Sequence, residues 1–433
     1  MTYDAAYQTL LDMTRIRTTD YMTNRTDPSL FLVRTRHLLD YLGGPDLSIP
    51  HYIHVTGTSG KGSTSFLIYH ILHAAGRRVG LTVSPHPTTI RERYHACGET
   101  MTEDEFAHII THLAPRIDKY THEFPDYAPS FFELTIIIAF IFFERKHIDH
   151  AVLEVGCGGR YDATNAIEHK DIAIITNIGL DHTQILGETK EAIAREKAGI
   201  MRRDAPTLST ERDPHIREVI REEAVAYGSP LTFVESNYAC LEETLTGTTF
   251  RYDGYEWTIP LIGEHQVQNA TLAIRAAYRL GISRTAIDRG LQAAVLPLRF
   301  EIVSRDPLII LDSAHNEDKL RSTLRTLTRL RGDRSVHLLC GFTDKPHLGA
   351  LLEMIKDHPW GSITITKHDH NPYRTPVEPA VVAAEFADKT GAPVRSFEDA
   401  MDALTHAKSM RSGNDILLIT GSTYLSGELR GRF

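Results

Sequence analysis

The stretch that most constrains the fold is a glycine-rich segment, Val55-Thr-Gly-Thr-Ser-Gly-Lys-Gly-Ser-Thr64. An apolar run, Tyr52–Val55, precedes it, and apolar residues at helical spacing follow it from Phe66 to Leu72. Glycines let backbone N–H groups point at an anion, and a helix N-terminus adds a partial positive charge at the same point. We therefore predict a strand, a phosphate-binding loop and a helix, with Lys61 supplying a full charge. A glycine-rich turn that binds nothing is the alternative.

The loop differs from the common G-x-x-x-x-G-K-[ST] form, because Val55 stands where the first glycine would be. The sequence therefore indicates a shorter variant. Ser63 and Thr64 carry hydroxyls suited to Mg²⁺ or to a phosphate oxygen.

Length and charge narrow the classes of function. A chain of 433 residues has room for two or three domains, and 42% apolar and 24% charged residues are typical of a globular protein. The net charge of −9 argues against a general binder of nucleic acids or anionic membranes. An anionic substrate must then be held by local positive groups.

Cysteine usage and the N-terminus predict a cytoplasmic protein. The four cysteines are widely scattered, with no metal-ligand spacing and no disulfide framework: Cys97, Cys157, Cys240 and Cys340. The N-terminal residues lack the basic and apolar regions of an export signal. The strongest apolar run, 134–143, is too short to cross a bilayer and predicts a buried core helix.

Periodicity predicts two α/β domains that meet near Pro297. In the first part, strands are expected at 78–83, 149–155 and 171–177, a polar loop at 88–98, and helices at 3–14, 28–43, 102–119, 130–146, 188–199, 266–281 and 284–294. Asp253-Gly254 predicts a hairpin turn between Thr248–Tyr252 and Tyr255–Ile259. In the second part, strands at 308–311, 336–340, 362–366 and 416–420 alternate with helices at 317–330, 347–357, 377–388 and 397–409. The fold class is α/β, with a mostly parallel P-loop-type sheet and flanking helices, followed by a smaller Rossmann-like domain.

Polar residues follow several of the predicted strands. They are Ser84, Glu154 and the pair Asp181-His182. Ligands bind beyond the carboxyl ends of parallel strands, and Mg²⁺ prefers carboxylate, water and phosphate oxygens. We therefore expect a phosphate-bound Mg²⁺ here. An ion pair between Glu154 and Arg160, and a hydrogen-bonded structural role for His182, are the alternatives.

Ten segments, in order and with similar gaps, resemble the folylpolyglutamate synthase/dihydrofolate synthase family of the Mur-ligase superfamily. They are His54–Thr64, Ser84-Pro-His86 with Glu92-Arg93, Ser130-Phe-Phe-Glu133, Glu154–Asn165, Ile178–Thr183 with Leu186-Gly187, Ile193–Ile200, Gly263–Ala270, Leu311–Asn316, Asp344-Lys345 and Gly421–Arg430. The resemblance implies an ATP-binding Mur-ligase-type domain with a helical lead-in at 1–296. It also implies a C-terminal glutamate-ligase α/β domain at 297–433.

The resemblance also implies roles for individual residues. ATP would be held by Gly57, Thr58, Ser59, Gly60, Lys61, Gly62, Ser63, Thr64, Asn269, Arg299, Asp312 and His315, with Asn269 near the adenine. Metal ligands would be Ser63, Ser84, Glu154, His182 and Lys197, and the catalytic set Lys61, Lys197, His182 and Glu154. Carbamylated Lys197 would hold a second Mg²⁺, with an ordinary surface or salt-bridged lysine as the alternative. Substrate contacts would come from Pro85, His86, Arg93, Phe131, Phe132 and Asp162, although the two phenylalanines equally suit a helix core.

The function implied by the resemblance is ATP-dependent addition of L-glutamate to a folate or dihydropteroate carboxylate. The carboxylate would attack the γ-phosphate to give an acyl phosphate and ADP, and the glutamate amine would then displace phosphate. Partners would be small molecules only, and the chain a monomer. A Mur-type ligase that joins another amino acid to a non-folate acid, and a nucleotide-binding regulatory protein without ligase activity, are the alternatives.

Several positions depart from the family pattern. Ser59 replaces a usual Asn, Leu298 a Gly before the linker arginine, Ser313 a Gly, Glu317 a Pro and Pro87 a Leu, and Asn371-Pro-Tyr-Arg374 stands where Pro-Arg is common. The change at Leu298 predicts a stiffer hinge. The changes at 313, 317, 87 and 371–374 leave the details of the second domain and the identity of the acceptor open.

Overall fold

The structure, a computed structural model, describes residues 1–14, 27–343, 348–369, 375–387 and 390–433. The motif positions Asp344-Lys345 and Asn371–Arg374 lie outside the described residues. The chain forms two compact units. The first comprises Met1–Tyr238 and Gln268–Ala294, and the second Ala239–Val267 and Val295–Phe433.

An eight-stranded sheet organises the first unit. Its strands are β1 (His51–Thr56), β2 (Val79–Thr82), β3 (Tyr94–Ala96), β4 (Glu99–Thr100), β5 (His150–Glu154), β6 (Ile172–Ile175), β7 (Thr207–Ser209) and β8 (Leu231–Phe233). They lie in the order β4-β3-β2-β5-β1-β6-β7-β8. β1, β2, β5, β6, β7 and β8 run parallel, with Val55 opposite Glu154 in the central pair, whereas β3 and β4 are antiparallel. The buried strands are nearly continuous apolar runs, as a sheet covered on both faces requires.

Helices cover this sheet and mostly begin where the sequence predicts. They are α1 (Tyr3–Asp12), α2 (Ser29–Tyr41), α3 (Lys61–Ala74), α4 (Glu103–Glu123), α5 (Phe131–Arg145), α6 (Thr183–Leu186), α7 (Lys190–Ala198), α8 (Pro214–Tyr227), α9 (Glu264–Arg279), which continues from the second unit, and α10 (Arg284–Gln292). Side chains fix several starts: Thr102 and Ser130 close capping boxes on α4 and α5. The apolar run at 134–143 is a buried part of α5, as predicted.

The region predicted as a polar loop at 88–98 contains more structure than expected. A 3₁₀ turn at Ile90–Arg93 leads into β3, which pairs antiparallel with β2, and β4 follows. These edge strands are only three and two residues long. Such short segments carry too little alternation for the sequence to reveal them.

A three-stranded antiparallel sheet belongs to the second unit. Its strands are β9 (Ala239–Thr244), β10 (Gly247–Tyr252) and β11 (Tyr255–Ile259), and the Asp253-Gly254 hairpin is confirmed. Leu245 and Ile262 join the apolar core of that unit, and Arg329 pairs with Glu243. Residues 239–267 therefore pack with the second unit, although they fall within the predicted first domain. The assignment of ATP binding to 1–296 and glutamate ligation to 297–433 stays a prediction.

A six-stranded sheet forms the centre of the second unit, between two apolar cores. Its strands are β12 (Glu301–Arg305), β13 (Leu308–Leu311), β14 (Val336–Cys340), β15 (Ser362–Ile365), β16 (Val394–Ser396) and β17 (Ile416–Thr420), in the order β12-β13-β17-β14-β15-β16. The helices are α11 (Glu317–Leu330), α12 (Leu348–Lys356), α13 (Pro379–Ala387), α14 (Ala400–Ser409) and α15 (Thr423–Arg430). All strands except β12 are parallel. No helix in the described ranges is both long and apolar enough to cross a membrane.

Candidate active site

The glycine loop leads from β1 into an uncapped helix. Gly60, with φ of 86°, precedes Lys61 at the start of α3, and none of the described side chains caps the helix. The N–H groups of its first turn therefore have no intrahelical acceptor, and the helix dipole adds positive potential. The backbones of α3 and α10 approach each other closely at Gly290 of α10, since a Cβ there would lie 2.3 Å from Ile71 Cα of α3. The start of α3 has the chemistry of a phosphate site.

The segment after β6 fixes the shape of the glycine loop. Asn177 accepts hydrogen bonds from Thr58 N (2.8 Å, to the carbonyl) and Ser59 N (2.8 Å, to Oδ1). Thr176 Oγ1 donates to the Ser59 carbonyl at 2.6 Å. Gly57 has φ of 145°, and a Cβ there would lie 1.7 Å from Thr176 Oγ1, so only glycine fits. Residues after β6 thus hold the first part of the loop, Gly57–Ser59, in place.

Two lysines meet at one carbonyl of this loop. Lys61 Nζ and Lys197 Nζ each donate to the Gly57 carbonyl oxygen at 2.9 Å. Lys197 lies near the end of α7 and is only 4% exposed. Burial, and then the charge of Lys61, lower the pKa of Lys197 to about 7. Lys197 is therefore not a surface residue, and it makes no ion pair within the part of the chain that the structure describes.

Glu154, Ser84 and Gly62 come together from neighbouring strands. Glu154 ends β5, and its Oε2 accepts from the backbone N of Ser84, which follows β2, at 3.0 Å. A Cβ on Gly62 would lie 3.4 Å from Glu154 Oε1, so the carboxylate faces the first turn of α3. Arg160 instead pairs with Glu223 at 3.0 Å, and not with Glu154. This outcome favours the metal hypothesis over the structural ion pair.

His182 occupies a strained position after β6. It has φ of 52°, precedes α6, and its backbone N donates to Asp181 Oδ1 at 3.0 Å. Its Nε2 lies 4.0 Å from the same oxygen, and the side chain is about one-third exposed. A hydrogen bond of 3.0 Å from Thr58 Oγ1 to the Gly179 carbonyl ties this segment to the glycine loop. Left-handed backbone on a non-glycine residue is costly and concentrates at functional sites.

The donor set suits a phosphate-bound magnesium ion. Within the described ranges there is no group of three or more His, Cys, Asp and Glu side chains that could hold a metal alone. A buried carboxylate facing an uncapped helix start, with the Ser63 hydroxyl in that first turn, instead fits an ion whose other ligands are phosphate oxygens and water. The residues present therefore fit the ion that the sequence predicted. The individual metal-ligand roles of Ser63, Ser84, Glu154, His182 and Lys197 stay predictions.

The remaining predicted nucleotide residues fall in both units. Asn269 lies beside the glycine loop, since its Oδ1 would be 2.4 Å from a Cβ on Gly60. In the second unit, Asp312 follows β13 and accepts from Phe300 N (2.9 Å), Ala314 N (2.8 Å) and Thr323 Oγ1 (2.9 Å). Arg299 bonds Ser313, and Lys319 Nζ contacts His315 Nε2 at 3.1 Å. Nucleotide contact by any of these residues stays a prediction.

Four of the predicted substrate residues lie close together after β2 and at the start of α5. Pro85 is exposed beside the half-buried His86, and Arg93 Nε donates to His86 Nδ1 at 3.0 Å. Burial and the neighbouring Arg93 lower the pKa of His86 to about 3, so its ring is neutral. The Arg93 guanidinium stands 5.9 Å from the centre of the Phe131 ring. At that distance the guanidinium makes a cation–π contact with the ring.

The other two predicted substrate residues border the loop after β5. A Cβ on Gly156 would lie 2.3 Å from Phe132 Cζ, so the half-buried Phe132 ring packs on that backbone. The Asp162 carboxylate accepts from Gly156 N (3.1 Å), Cys157 N (3.0 Å), Thr164 N (3.0 Å) and Thr164 Oγ1 (2.5 Å). Asp162 thus shapes its own loop. Substrate contact by either residue stays a prediction.

The sequence interpretation missed the residues that support the site. Glu211, after β7, accepts from Ile178 N at 2.7 Å and so anchors the segment that carries Asp181 and His182. Thr176 and Asn177 anchor the glycine loop. A polar residue within two positions after a buried strand was the available signal for all three, because β6 lies next to β1 and β7 lies next to β6.

Comparison with known proteins shows the family of the chain. The Mur ligase middle domain family matches residues 55–277, and the Mur ligase, glutamate ligase domain family matches residues 298–423. A dihydrofolate synthase/folylpolyglutamate synthase of Bacillus subtilis is 34% identical over 93% of this chain and 94% of its own length. The chain belongs to the folylpolyglutamate synthase/dihydrofolate synthase family. A Halobacterium salinarum member, a probable bifunctional folylpolyglutamate synthase/dihydropteroate synthase, is 32% identical over the whole chain, which spans 52% of that protein.

Solved structures of the family share the fold across the chain. A Mycobacterium tuberculosis folylpolyglutamate synthase complexed with ADP has a TM-score of 0.85 at 28% identity, covering 99% of this chain and 98% of that one. An Escherichia coli protein in complex with DHPP and ADP has a TM-score of 0.80 at 27% identity, with coverage of 100% and 97%. A bifunctional folylpolyglutamate synthase/dihydrofolate synthase with Mn, AMPPNP and L-glutamate bound has a TM-score of 0.77 at 30% identity, covering 93% of each chain. The predicted α/β class and family are confirmed.

Proposed function

We propose that this chain is an ATP-dependent ligase that adds L-glutamate to the carboxylate of a folate or a dihydropteroate, releasing ADP and phosphate. The observation that carries the proposal is the meeting of three groups at the start of α3: an uncapped helix, two lysines at one carbonyl, and the buried Glu154. Family membership along the whole chain, and relatives solved with nucleotide, Mn, DHPP and L-glutamate, support the same reaction class.

The first task of the site is to bring a carboxylate up to a triphosphate. Both groups are anions, so their approach requires positive charge at the γ-phosphate. Lys61 supplies it when its Nζ moves from the Gly57 carbonyl to a phosphate oxygen, and the first-turn N–H groups of α3 supply further donors. A bound divalent ion would add Lewis-acid stabilisation, held by Glu154 with Ser63, Ser84 or His182. The carboxylate oxygen bonds to the γ-phosphorus and ADP leaves, which gives an acyl phosphate. The glutamate amine then attacks the acyl carbon, and phosphate leaves as the amide forms.

Lys197 supports a second proposal about the site. Carbamylation requires a neutral amine, and a pKa of about 7 leaves a large fraction of Lys197 neutral at physiological pH. Its product would be a carboxylate-like group beside the glycine loop, which would turn a repulsive neighbour of Lys61 into an attractive one. We propose that this group completes a site for a second Mg²⁺. A monomeric state and a cytoplasmic location stay predictions from the sequence.

The experiment that tests the function is ADP release at fixed glutamate and Mg²⁺. Dihydropteroate, a reduced folate and no acceptor are compared, with Lys61→Ala as the blank and Lys119→Ala, on the exposed face of α4, as the matched control. Turnover with dihydropteroate establishes the synthase reaction, and turnover with the folate establishes chain extension. ATP binding without turnover on either acceptor would contradict the proposal. That outcome would favour a Mur-type ligase for a non-folate acid, because the same glycine loop serves both.

A further inference from the structure

A buried polar chain lies behind the two glycine-rich loops, and no role was predicted for most of it. Lys170 Nζ contacts His54 Nδ1 (2.8 Å), Asn165 Oδ1 (3.0 Å) and the Ile200 carbonyl (2.8 Å). On the other edge of its ring, His54 Nε2 contacts Thr164 Oγ1 at 2.8 Å, and Thr164 Oγ1 lies 2.5 Å from Asp162 Oδ1. His54 and Thr164 are fully buried, and Lys170 is 6% exposed. A lysine and an aspartate are thus connected through a histidine and a threonine.

Counting protons leaves three arrangements in which every contact is a hydrogen bond. One of them places protons on both ring nitrogens of His54 beside a neutral Lys170, and it is disfavoured because an amine is a far stronger base than an imidazole. Two arrangements remain. In the first, the Thr164 hydroxyl donates to the Asp162 carboxylate and accepts from His54 Nε2–H. His54 Nδ1 is then bare, so Lys170 donates to it and to two carbonyls, which requires a full ammonium. In the second, the proton lies on Asp162, every donor along the chain reverses, His54 carries Nδ1–H, and Lys170 is a neutral amine. The tautomer of His54 distinguishes the two.

The surroundings of Asp162 favour the first arrangement. Its two oxygens accept three backbone N–H bonds, from Gly156, Cys157 and Thr164, in addition to the threonine hydroxyl. Several N–H donors strongly stabilise a carboxylate, and a 2.5 Å contact is typical of a hydroxyl bound to an ionised oxygen. Burial works the other way, because it raises the pKa of Asp162 and lowers that of Lys170, and the neighbouring charge of Arg202 lowers the pKa of Lys170 further. The four donors aimed at one carboxyl offset part of that effect, and this geometry favours the ionised carboxylate of the first arrangement.

The cationic end of the chain meets a helix terminus. α7 ends at Ala198, and the carbonyls that follow accept from two cations: Ile200 O from Lys170, and Gly199 O from Arg202 at 3.2 Å. The C-terminus of a helix carries partial negative charge, so cations are favoured there. Because Lys197 lies in the last turn of α7, the position of Lys170 also sets the position of Lys197.

We propose that Lys170 is a positioning residue, whose ammonium group is the counter-ion of Asp162 through His54 in its Nε2–H tautomer and Thr164. The chain joins three segments that carry the active site: β1, which enters the glycine loop; the loop after Glu154; and the end of the Lys197 helix. Only the expected effect on catalysis rests on the proposed function. The proton arrangement does not.

The first test is the tautomer of His54 in the whole protein. With ¹⁵N-labelled histidine, long-range ¹H–¹⁵N spectra separate a bare ring nitrogen from a protonated one, and His54→Gln identifies the signal by its loss. We expect a neutral ring with a bare Nδ1 and a protonated Nε2. A protonated Nδ1, or a doubly protonated ring, would overturn the proposal. The measurement needs no turnover, so it stands even if the ligase reaction is not found.

The second test is Lys170→Met, which keeps the length of the side chain and removes its donors. We expect the Mg·ATP concentration for half-maximal rate to rise about tenfold, as happens when groups that orient metal and phosphate ligands are lost, with a smaller change in kcat. The ¹⁵N signal of His54 Nδ1 should move further downfield, because it loses its donor. Lys119→Met, at an exposed lysine of α4, is the matched control. Unchanged kinetics and an unchanged Nδ1 signal in folded Lys170→Met would contradict the proposal; if that variant does not fold, the wild-type tautomer decides.

Discussion

Two glycine-rich loops leave neighbouring strands of the same sheet, and they use their backbone N–H groups in opposite ways. In the loop after β5, the Asp162 carboxylate accepts from Gly156 N and Cys157 N, so the loop satisfies itself. The loop after β1 contains no carboxylate, and its helix α3 starts without a side-chain cap among the described residues. Its shape is fixed from outside by Thr176 and Asn177. The comparison shows that the loop after β1 can offer its backbone N–H groups to an anion because residues outside the loop fix its shape.

The largest expected effect comes from removing the positive charge of the loop after β1. Lys61→Ala should lower kcat/KM for ATP by about 10³-fold, because the full positive charge that offsets the repulsion between carboxylate and phosphate is then lost. The fold should be retained, since among the described residues Lys61 Nζ donates only to carbonyls of its own loop, at 2.9 and 3.5 Å. ADP-release kinetics check the change, and a circular dichroism spectrum checks the fold. Activity within threefold of wild type would show that this loop is not the phosphate site.

The next largest effect tests whether close packing at Gly57 fixes the shape of the loop after β1. Gly57→Ala should reduce the free energy of unfolding by about 3 kcal/mol, because its φ is 145° and the added Cβ would meet Thr176 Oγ1 at 1.7 Å. Gly254→Ala is the matched control, since Gly254 also has positive φ but no atom lies within 4 Å of its added Cβ. It should cost only about 1 kcal/mol. Urea unfolding measures both, and equal losses would mean that backbone strain alone explains the glycine.

A smaller effect tests the loop after β5, whose backbone N–H groups donate to its own carboxylate. Asp162→Asn should reduce the free energy of unfolding by about 2 kcal/mol, because either orientation of the amide places an N–H₂ against a backbone N–H. The matched control is Asp253→Asn in the exposed hairpin turn, where φ is 52° and Asn is well tolerated. That change should be nearly neutral in the same urea experiment. A neutral Asp162→Asn would mean that the loop keeps its shape without the carboxylate.

The smallest effect concerns Lys197, the lysine of α7 that donates to the loop after β1. The pKa of Lys197 falls from 10.5 to about 7 on folding, so between these values the unfolded chain holds a proton that the native chain has released. The free energy of unfolding should therefore rise with pH above 7, by about 1 kcal/mol per unit, and show no such slope below 7. Lys197→Met should lack this slope. Urea unfolding at several pH values in CO₂-free buffer measures it, and identical slopes in the two proteins would contradict the lowered pKa.

Much of the sheet architecture was predictable from the sequence. The strands Leu308–Leu311, Val336–Cys340 and Ile416–Thr420 lie where the apolar runs placed them, because a parallel strand buried on both faces must be apolar throughout. The edge strands Glu301–Arg305 and Val394–Ser396 were missed, since an edge strand faces solvent and mixes polar with apolar residues. The helix Thr423–Arg430 was missed too, although it lies within a motif that the resemblance used.

By itself the sequence determined which chemical groups end the strands: Lys61 after β1, Glu154 at the end of β5, and His182 after β6. Because parallel strands have their carboxyl ends at the same edge of a sheet, these residues had to lie along that edge. Only the tertiary structure decided which polar side chains hydrogen-bond within their own loop, as Asp162 does, and which face the loop after β1, as Glu154 and Lys197 do. That outcome depends on hydrogen-bond geometry between segments up to 140 residues apart, as between Gly57 and Lys197, and no local pattern encodes it.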